Sequence, residues 1–171
     1  FILNGWNQTK DKLLKNNDLK SQITLLDKTI NTLPEILKGN LLATDILFPD
    51  GSMKYVEGIY KNNSISDYYN EVLGVSIIQY INKIQKSGIN DTSINIFEIG
   101  AGTGGTSMKI FQMLKPLENI ISEYCYTDIS QAFLNHAENK YSKQVPYLSC
   151  KIFNVEANLA SQKIPIGQYD I

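Results

Sequence analysis

The sequence predicts an α/β fold in which a doubly wound parallel sheet follows a helical region. Three observations support this prediction. Apolar residues recur at helical spacing in the first part of the chain. A strand-like run at 94–99 leads directly into a glycine-rich loop and then a helical pattern. Strand and helix patterns alternate after that, which is the order that produces a parallel sheet.

Composition indicates one ordinary folded domain and argues against several classes of function. The 171 residues suffice for a domain with a core, and the formal net charge is −1. The sequence contains no arginine, the side chain that usually contacts phosphate or guanine, so nucleic acid is not an expected partner. No apolar run reaches the length of a membrane span, and no signal peptide is recognisable. Cys125 and Cys150 are expected to be reduced core thiols in a cytoplasmic protein, and no metal site is predicted.

The first elements are predicted helices. The pattern is helical from Trp6 to about Leu37, with apolar residues separated by lysine, asparagine and aspartate. A second short helix is predicted with Thr32 as its cap, Pro34 in its first turn and Gly39 just past its end. The run at 41–48 predicts a further helix.

A Pro-Asp-Gly turn at 49–51 precedes a stretch rich in tyrosine. Ser66 is predicted to cap a long helix that ends at Gly88. The tyrosines of this stretch are expected to be core residues or walls of a groove, and they are Tyr55, Tyr60, Tyr68 and Tyr69. The predicted apolar face of this helix consists of Tyr69, Val72, Leu73, Ile77, Tyr80, Ile81 and Ile84.

The glycine-rich loop follows the first predicted strand, which a polar turn cluster at 90–93 precedes. Glycine permits a sharp turn and a close approach of a ligand to the backbone, and the next helix begins with N–H groups that attract an anionic group. Gly100, Gly102 and Gly105 match the G-x-G-x-x-G pattern of dinucleotide-binding enzymes. The acid-x-G-x-G-x-G pattern of S-adenosylmethionine enzymes is matched by Glu98, Gly100, Gly102 and Gly104.

Glu98 distinguishes these two patterns. A carboxylate two residues before the first glycine would lie near the charged end of the ligand. There it would attract a sulfonium and an ammonium group, whereas it would repel a pyrophosphate. The sequence therefore favours S-adenosylmethionine, with a nicotinamide oxidoreductase as the alternative that the glycine spacing permits.

The remaining elements complete a strand, helix, strand, helix order. A helix is predicted from Thr106 to Lys115, where Pro116 stops it. Ser130 is predicted to cap the later helix. The second strand, the third strand and the lead-in to a fourth are predicted at 123–128, 147–153 and 168–171.

Two polar residues at strand ends are candidate ligand contacts. Asp128 ends the second strand, where a carboxylate can accept hydrogen bonds from both ribose hydroxyls of either cofactor class. The alternative is that Asp128 caps the following helix, but Ser130 is the better cap, so ribose binding is favoured. Asn154 follows the third strand and could reach an adenine edge with its amide, or could serve only the loop.

With these residues placed, the chain resembles the carbon-methyltransferase domains of modular polyketide synthases. The Phe-Pro-Asp-Gly-Ser sequence at 48–52 and its distance to the glycine loop are the most particular parts of the resemblance. The similar stretches are Leu33–Gly39, Leu47–Ser52, Tyr60 through Tyr69-Asn70, Phe97–Thr106 and Tyr126–Ser130.

The resemblance implies a Rossmann-like class I methyltransferase core, incomplete in this chain, at 91–171, preceded by a helical lid subdomain at 1–90. It implies transfer of a methyl group from S-adenosylmethionine, with S-adenosylhomocysteine as product, to the α-carbon of a β-ketoacyl chain on an acyl carrier protein. Neighbouring polyketide synthase domains are the other implied partners. Tyr69 and Asn70 are implied in the substrate pocket. The implied cofactor-binding residues are Glu98, Gly100, Ala101, Gly102, Gly104, Asp128, Ile129 and Asn154, of which the last is usually aspartate in the family.

The catalytic base implied by the family is a histidine after the fourth strand, so no catalytic residue is expected in this chain. His136 is expected to be a surface or packing residue. If the polypeptide ended near Ile171, its first strand would be an open edge, so we expect a longer chain or a remnant half-domain. The alternatives left open are a non-catalytic pseudo-methyltransferase module of a megasynthase, and a nitrogen or oxygen methyltransferase of a peptide synthetase or tailoring pathway.

Overall fold

The computed structural model describes residues 2–49, 52–60, 63–87 and 93–171. The predicted turn residues Asp50 and Gly51, the predicted helix end at Gly88 and positions 90–92 of the turn cluster lie outside these ranges. Residue contacts divide the chain into two units, Phe1–Tyr68 and Tyr69–Ile171. No helix in the described ranges is both long and apolar enough to cross a membrane.

The chain passes from helices to alternating strands and helices, as predicted. Short 3-10 helices span Lys115–Ile120 and Leu159–Gln162. The α-helices are α1 Ile2–Leu13, α2 Lys20–Leu37, α3 Ala43–Leu47, α4 Lys54–Tyr60, α5 Ser64–Lys86, α6 Gly105–Leu114 and α7 Gln131–Tyr141. The strands are β1 Ile94–Glu98, β2 Ile121–Asp128 and β3 Leu148–Ile152.

In the first unit, α2 is continuous, so the separate helix predicted to begin at Thr32 was wrong. Thr32 lies inside α2, and its Oγ1 donates a hydrogen bond to the carbonyl of Lys28 at 2.8 Å. Pro34 is also inside the helix. Proline removes one N–H from the helical ladder, and here that loss comes in the last turns without ending the helix.

The end of α2 is the one that the sequence predicted. Gly39 has a φ of +77°, a conformation that favours glycine. Its N–H donates to Ile36 O at 3.0 Å, and the N–H of Asn40 donates to Glu35 O at 2.9 Å. These two bonds form a Schellman motif, which satisfies carbonyl groups at the end of the helix.

The predicted cap of α5 was wrong by three residues. The helix begins at Ser64, and the side chain of Asn63 accepts a hydrogen bond from the N–H of Ser66 at 2.9 Å. Asn63 is buried, and asparagine is among the best N-cap residues. Asp18 accepts two further bonds from Ser64, at 3.0 Å from its N–H and 2.8 Å from its hydroxyl.

The predicted apolar face of α5 is only partly buried. Ile77 and Ile81 lie in the core of the second unit, and Gly74 is buried beside Met113 of α6. A Cβ at Gly74 would lie only 2.4 Å from the Met113 sulfur, so this glycine permits the close contact of the two helices. Four residues of the predicted face, by contrast, are exposed: Tyr69, Val72, Leu73 and Tyr80.

The three strands form a parallel sheet in the order β1-β2-β3, which confirms the predicted α/β fold with an incomplete Rossmann-like core. One face of the sheet packs on α5, α6 and α7. Phe111 of α6 illustrates this packing, since its ring centroid is 4.8 Å from that of Tyr124 and 5.3 Å from that of Tyr141. Phe97, on the opposite face, contacts Phe153 and Tyr169 with centroid distances of 5.2 and 4.8 Å.

The predicted lead-in to a fourth strand lies beside β1. The N–H of Phe97 donates to Ile171 O at 2.8 Å, and the carbonyl of Asn95 accepts from the N–H groups of Asp170 at 2.9 Å and Ile171 at 3.4 Å. These bonds have the parallel pattern. At these positions β1 is therefore paired and is not the open edge that the sequence analysis expected.

The boundary between the two units differs from the one expected at 90–91. It lies between Tyr68 and Tyr69, because Ile77 and Ile81 of α5 share an apolar core with Ile94 of β1. The expected division into a lid and a cofactor-binding domain is a division by function, and it stays a prediction.

Candidate functional site

The glycine loop joins β1 to α6 and contains three glycines in the left-handed backbone region. Gly100, Gly102 and Gly104 have φ values of +69°, +59° and +74°. These are the three glycines of the acid-x-G-x-G-x-G pattern, whereas Gly105 of the dinucleotide pattern is the first residue of α6. The conformational need for glycine therefore follows the pattern that the sequence analysis favoured.

Residues at the end of β2 hold this loop through hydrogen bonds. Ala101 N–H donates to the carbonyl of Thr127 at 2.9 Å, and Gly102 N–H donates to Asp128 Oδ2 at 3.0 Å. Asp128 is buried, and its Oδ1 accepts from the N–H of Ser130 at 2.8 Å. Since each carboxylate oxygen has two lone pairs, Asp128 can still accept hydrogen bonds from the hydroxyls of a ligand.

The sequence analysis placed the N-cap of α7 correctly at Ser130, but its argument that Ser130 rather than Asp128 makes the capping bond was wrong. Ser130 occupies the N-cap position of α7, but its side chain makes no capping hydrogen bond. Asp128 instead bonds the Ser130 N–H, so this carboxylate organises the start of α7 as well as the glycine loop. The ribose contact predicted for Asp128 stays a prediction.

Glu98 lies at the end of β1 and faces the protein interior. Its Oε2 accepts hydrogen bonds from the Ser107 hydroxyl at 2.7 Å and from the Tyr124 hydroxyl at 2.9 Å. Burial raises the pKa of Glu98, and the two hydrogen bonds partly oppose that rise. Glu98 thus joins β1 to α6 and β2, and its predicted contact with a ligand stays a prediction.

A cleft of about 260 Å³ opens at the carboxyl ends of the strands. It brings together four of the predicted cofactor-binding residues. The other four, Glu98, Ala101, Gly102 and Gly104, belong to β1 and the glycine loop and do not line it. The lining residues are Ile99, Gly100, Asp128, Ile129, Phe153, Asn154, Val155 and Glu156.

The sequence analysis missed four lining residues, which are Phe153, Glu156, Ile99 and Val155. Three of the lining residues, Ile99, Val155 and Ile129, are large apolar side chains that are 56%, 67% and 66% exposed, in that order. Each directly follows a polar residue at or just past a strand end, which is a signal that could have identified them. Apolar side chains around a few polar groups are typical of a site for a small organic ligand.

Asn154 is held in place by its own loop. Its N–H donates to Gln162 Oε1 at 2.7 Å, and its carbonyl accepts from Gln162 Nε2 at 2.9 Å. The side-chain oxygen of Asn154 accepts from the N–H of Glu156 at 2.9 Å. The amide oxygen is therefore engaged within the loop, and the amide NH₂ is the donor that this side chain can offer to a ligand.

The remaining candidates are not among the residues that line the cleft. Tyr69 is 65% exposed on α5. Asn70 Oδ1 accepts a hydrogen bond from Thr106 Oγ1 at 2.8 Å, which places Asn70 beside the start of α6. His136 is half-buried on α7 and does not line the cleft.

Comparison with known proteins relates the chain to polyketide synthases. No protein-family model matches it. Over 165 residues the chain is 51% identical to the polyketide synthase PksR of Bacillus subtilis (strain 168), in an alignment that covers 96% of this chain and 6% of that protein. The chain therefore spans only a small part of this relative.

Two crystal structures share the fold. The DszA carbon methyltransferase matches with a TM-score of 0.85 and 29% identity, covering 96% of this chain and 42% of that chain. The CurJ carbon methyltransferase matches with a TM-score of 0.83 and 27% identity, with the same two coverages of 96% and 42%. Over nearly its whole length the chain is therefore similar in sequence to a polyketide synthase and in fold to carbon methyltransferase domains.

Proposed function

We propose that the protein containing this chain transfers a methyl group from S-adenosylmethionine to the α-carbon of a β-ketoacyl chain held on an acyl carrier protein. The observation that carries this proposal is the cleft at the strand ends, where Gly100, Asp128 and Asn154 meet beside a glycine loop of the matching pattern. The similarity in fold to two carbon methyltransferases supports methyl transfer to carbon.

The residues present suit this cofactor. A Cβ added at Gly100 would meet no heavy atom within 4 Å, so the space over this glycine is open to a ligand. The buried hydroxyl of Thr103, also in the loop, has no hydrogen-bond partner among the described residues. An unsatisfied buried hydroxyl is costly, so a polar ligand group that reached it would be favoured.

Five residues that line the cleft have a proposed role. Asp128 would accept hydrogen bonds from the ribose hydroxyls, and the amide NH₂ of Asn154 would donate to a ring nitrogen of adenine. The apolar side chains of Ile99, Ile129 and Val155 would flank the adenine ring. The methionine end would lie along the loop, at Glu98, Ala101, Gly102 and Gly104.

The substrate side is proposed on the family resemblance. Tyr69 and Asn70 would line the acyl pocket, and the helical region 1–90 would act as a lid. When bound, S-adenosylmethionine supplies an electrophilic methyl group on a sulfonium. An α-hydrogen between two carbonyls is acidic enough for removal by a positioned side-chain base. Because His136 does not line the cleft, we assign no base among the described residues.

Isothermal titration calorimetry with S-adenosylhomocysteine tests the cofactor. We expect the purified protein to bind this ligand and the Gly102→Leu variant not to bind it. A leucine at position 102 would have to adopt the left-handed backbone conformation that Gly102 has. Asp128→Ala should weaken binding about tenfold or more, since hydrogen bonds to a charged group are lost. Absence of heat with any adenosyl ligand would contradict the proposal, and NADH fluorescence enhancement would support the oxidoreductase alternative.

Product analysis tests the reaction. Incubation with a β-ketoacyl carrier protein should add the mass of a methyl group, and NMR should place that methyl on the α-carbon. A methyl group on oxygen or nitrogen would support the tailoring alternative. Carrier-protein binding without any transfer would support the non-catalytic module.

A further inference from the structure

Two buried tyrosine hydroxyls hold the carbonyl groups of the glycine loop. The hydroxyl of Tyr126 on β2 donates to Gly102 O at 2.7 Å. The hydroxyl of Tyr141 on α7 donates to Gly104 O at 3.3 Å. The two side chains are 0% and 5% exposed, so both bonds are made inside the core. Core residues therefore contact the loop from its inner side.

Gly102 is fixed at both of its backbone polar groups. Its N–H donates to Asp128 and its carbonyl accepts from Tyr126. These two partners are two residues apart on β2, so their side chains leave the same face of the strand. A glycine is the residue with the most conformational freedom to lose, and here one strand restrains it on both sides.

Tyr126 is a permanent donor. Burial raises the pKa of its hydroxyl far above the usual range, and the nearby carboxylates of Glu98 and Asp128 raise it further. The phenol therefore stays protonated at every pH at which the protein works. The carbonyl of Gly102 keeps its partner under all these conditions.

We propose that Tyr126, assisted by Tyr141, is a positioning residue that holds the glycine loop in its ligand-binding conformation before the cofactor arrives. The proposal rests on the proposed function, since the ligand in question is the adenosyl cofactor. By turning the carbonyls of Gly102 and Gly104 towards the core, the hydroxyls keep acceptors away from the ligand side of the loop. Without the Tyr126 hydroxyl the loop is less ordered before binding. The cofactor then has to order the loop as it binds, and this entropy cost lowers the affinity.

Tyr126→Phe tests this proposal, with Tyr169→Phe as the matched control. Tyr169 also uses its hydroxyl, which accepts from Lys151 Nζ at 3.3 Å, while its ring packs on Phe97 of β1. In calorimetry on the intact purified protein, Tyr126→Phe should bind S-adenosylhomocysteine about fivefold to tenfold more weakly, with a more unfavourable binding entropy. Tyr169→Phe should bind as the parent protein does.

Amide hydrogen exchange provides a readout that does not depend on the ligand. In Tyr126→Phe, exchange should accelerate at the loop amides of 101–105 while the amides of β3 exchange as before. Unchanged loop exchange, or an affinity loss equal to that of Tyr169→Phe, would overturn the proposal. If the parent protein binds no adenosyl ligand, the proposed function fails, and loop exchange alone then decides the role of Tyr126.

Discussion

At the scale of single residues, two glycines of the loop differ in why no larger residue fits there. Gly100 and Gly104 both have a positive φ. Gly100 faces open space, whereas a Cβ at Gly104 would lie 3.0 Å from the Tyr141 hydroxyl and 3.2 Å from the Tyr126 hydroxyl. At Gly100, glycine is thus required by the backbone conformation alone. At Gly104 it is required by the backbone conformation and by the lack of space for a Cβ.

Gly104→Ala should lower the free energy of unfolding by about 2–4 kcal/mol, from left-handed strain and from crowding against the two tyrosines. Gly100→Ala, with the strain alone, should cost about 1–2 kcal/mol. Urea denaturation of the purified variants measures both values. Equal losses would mean that the tyrosines move aside without cost.

Glu98 predicts a pH dependence of stability. Since its pKa in the folded protein is raised above the ordinary 4.5, the folded state binds this proton more tightly than the unfolded chain does. The resulting stability is complete below the ordinary value and is lost as the pH rises through the raised pKa. Glu98→Gln keeps an acceptor for Ser107 and Tyr124 without a charge. Urea unfolding between about pH 4 and 8 should show a decline in the parent that the variant lacks, and equal slopes would contradict this assignment.

At the scale of elements, the start of α5 depends on which of two residues serves as its N-cap, and intrinsic capping preference alone does not decide between them. Asn63 and Ser66 are both good cap residues, and the sequence analysis named only Ser66. The structure uses Asn63, whose amide also donates to the carbonyl of Ile59 at 2.9 Å. The burial of Asn63 and its second bond explain why the cap lies three residues before the predicted one.

Asn63→Ala should lower the free energy of unfolding by about 1–2 kcal/mol, because the cap bond and the amide bond are lost together. Ser76→Ala in the middle of the same helix is the control. Ser76 is exposed, and its hydroxyl only donates to Val72 O, so the change should be within about 0.5 kcal/mol. Thermal or urea unfolding of the two variants compares them, and a neutral Asn63→Ala would show that Asn63 is not the effective cap.

At the scale of the whole molecule, the outer edge of β1 is paired by residues distant in sequence. The Asn95 N–H donates to the carboxylate of Asp170 at 2.8 Å, next to the backbone bonds of Ile171. This edge belongs to the strand that carries the glycine loop. Its pairing therefore affects the strand on which the candidate site is built.

Asp170→Ala should accelerate amide exchange at Asn95, because the N–H loses its carboxylate acceptor. Asp170→Asn keeps an oxygen at that place and should retain most of the protection. Exchange at Phe97 should remain slow in both variants, since its acceptor is the backbone carbonyl of Ile171. Equal exchange at Asn95 in all three proteins would show that this side-chain bond does not persist in solution.

The sequence alone determined the local features: the parallel strand and helix order, the end of α2 at Gly39, the glycine loop and the strand-end positions of Asp128 and Asn154. These depend on periodicity and on backbone conformations that only a few residue types adopt. Tertiary structure decided the rest. Pro34 inside α2, the cap by Asn63, the inward direction of Glu98 and the tyrosine hydroxyls on the loop all involve partners that spacing along the chain does not reveal. The physical reason is that many side chains have several possible hydrogen-bond partners or burial sites. Which of these is used depends on the elements, distant in sequence, that pack against the side chain.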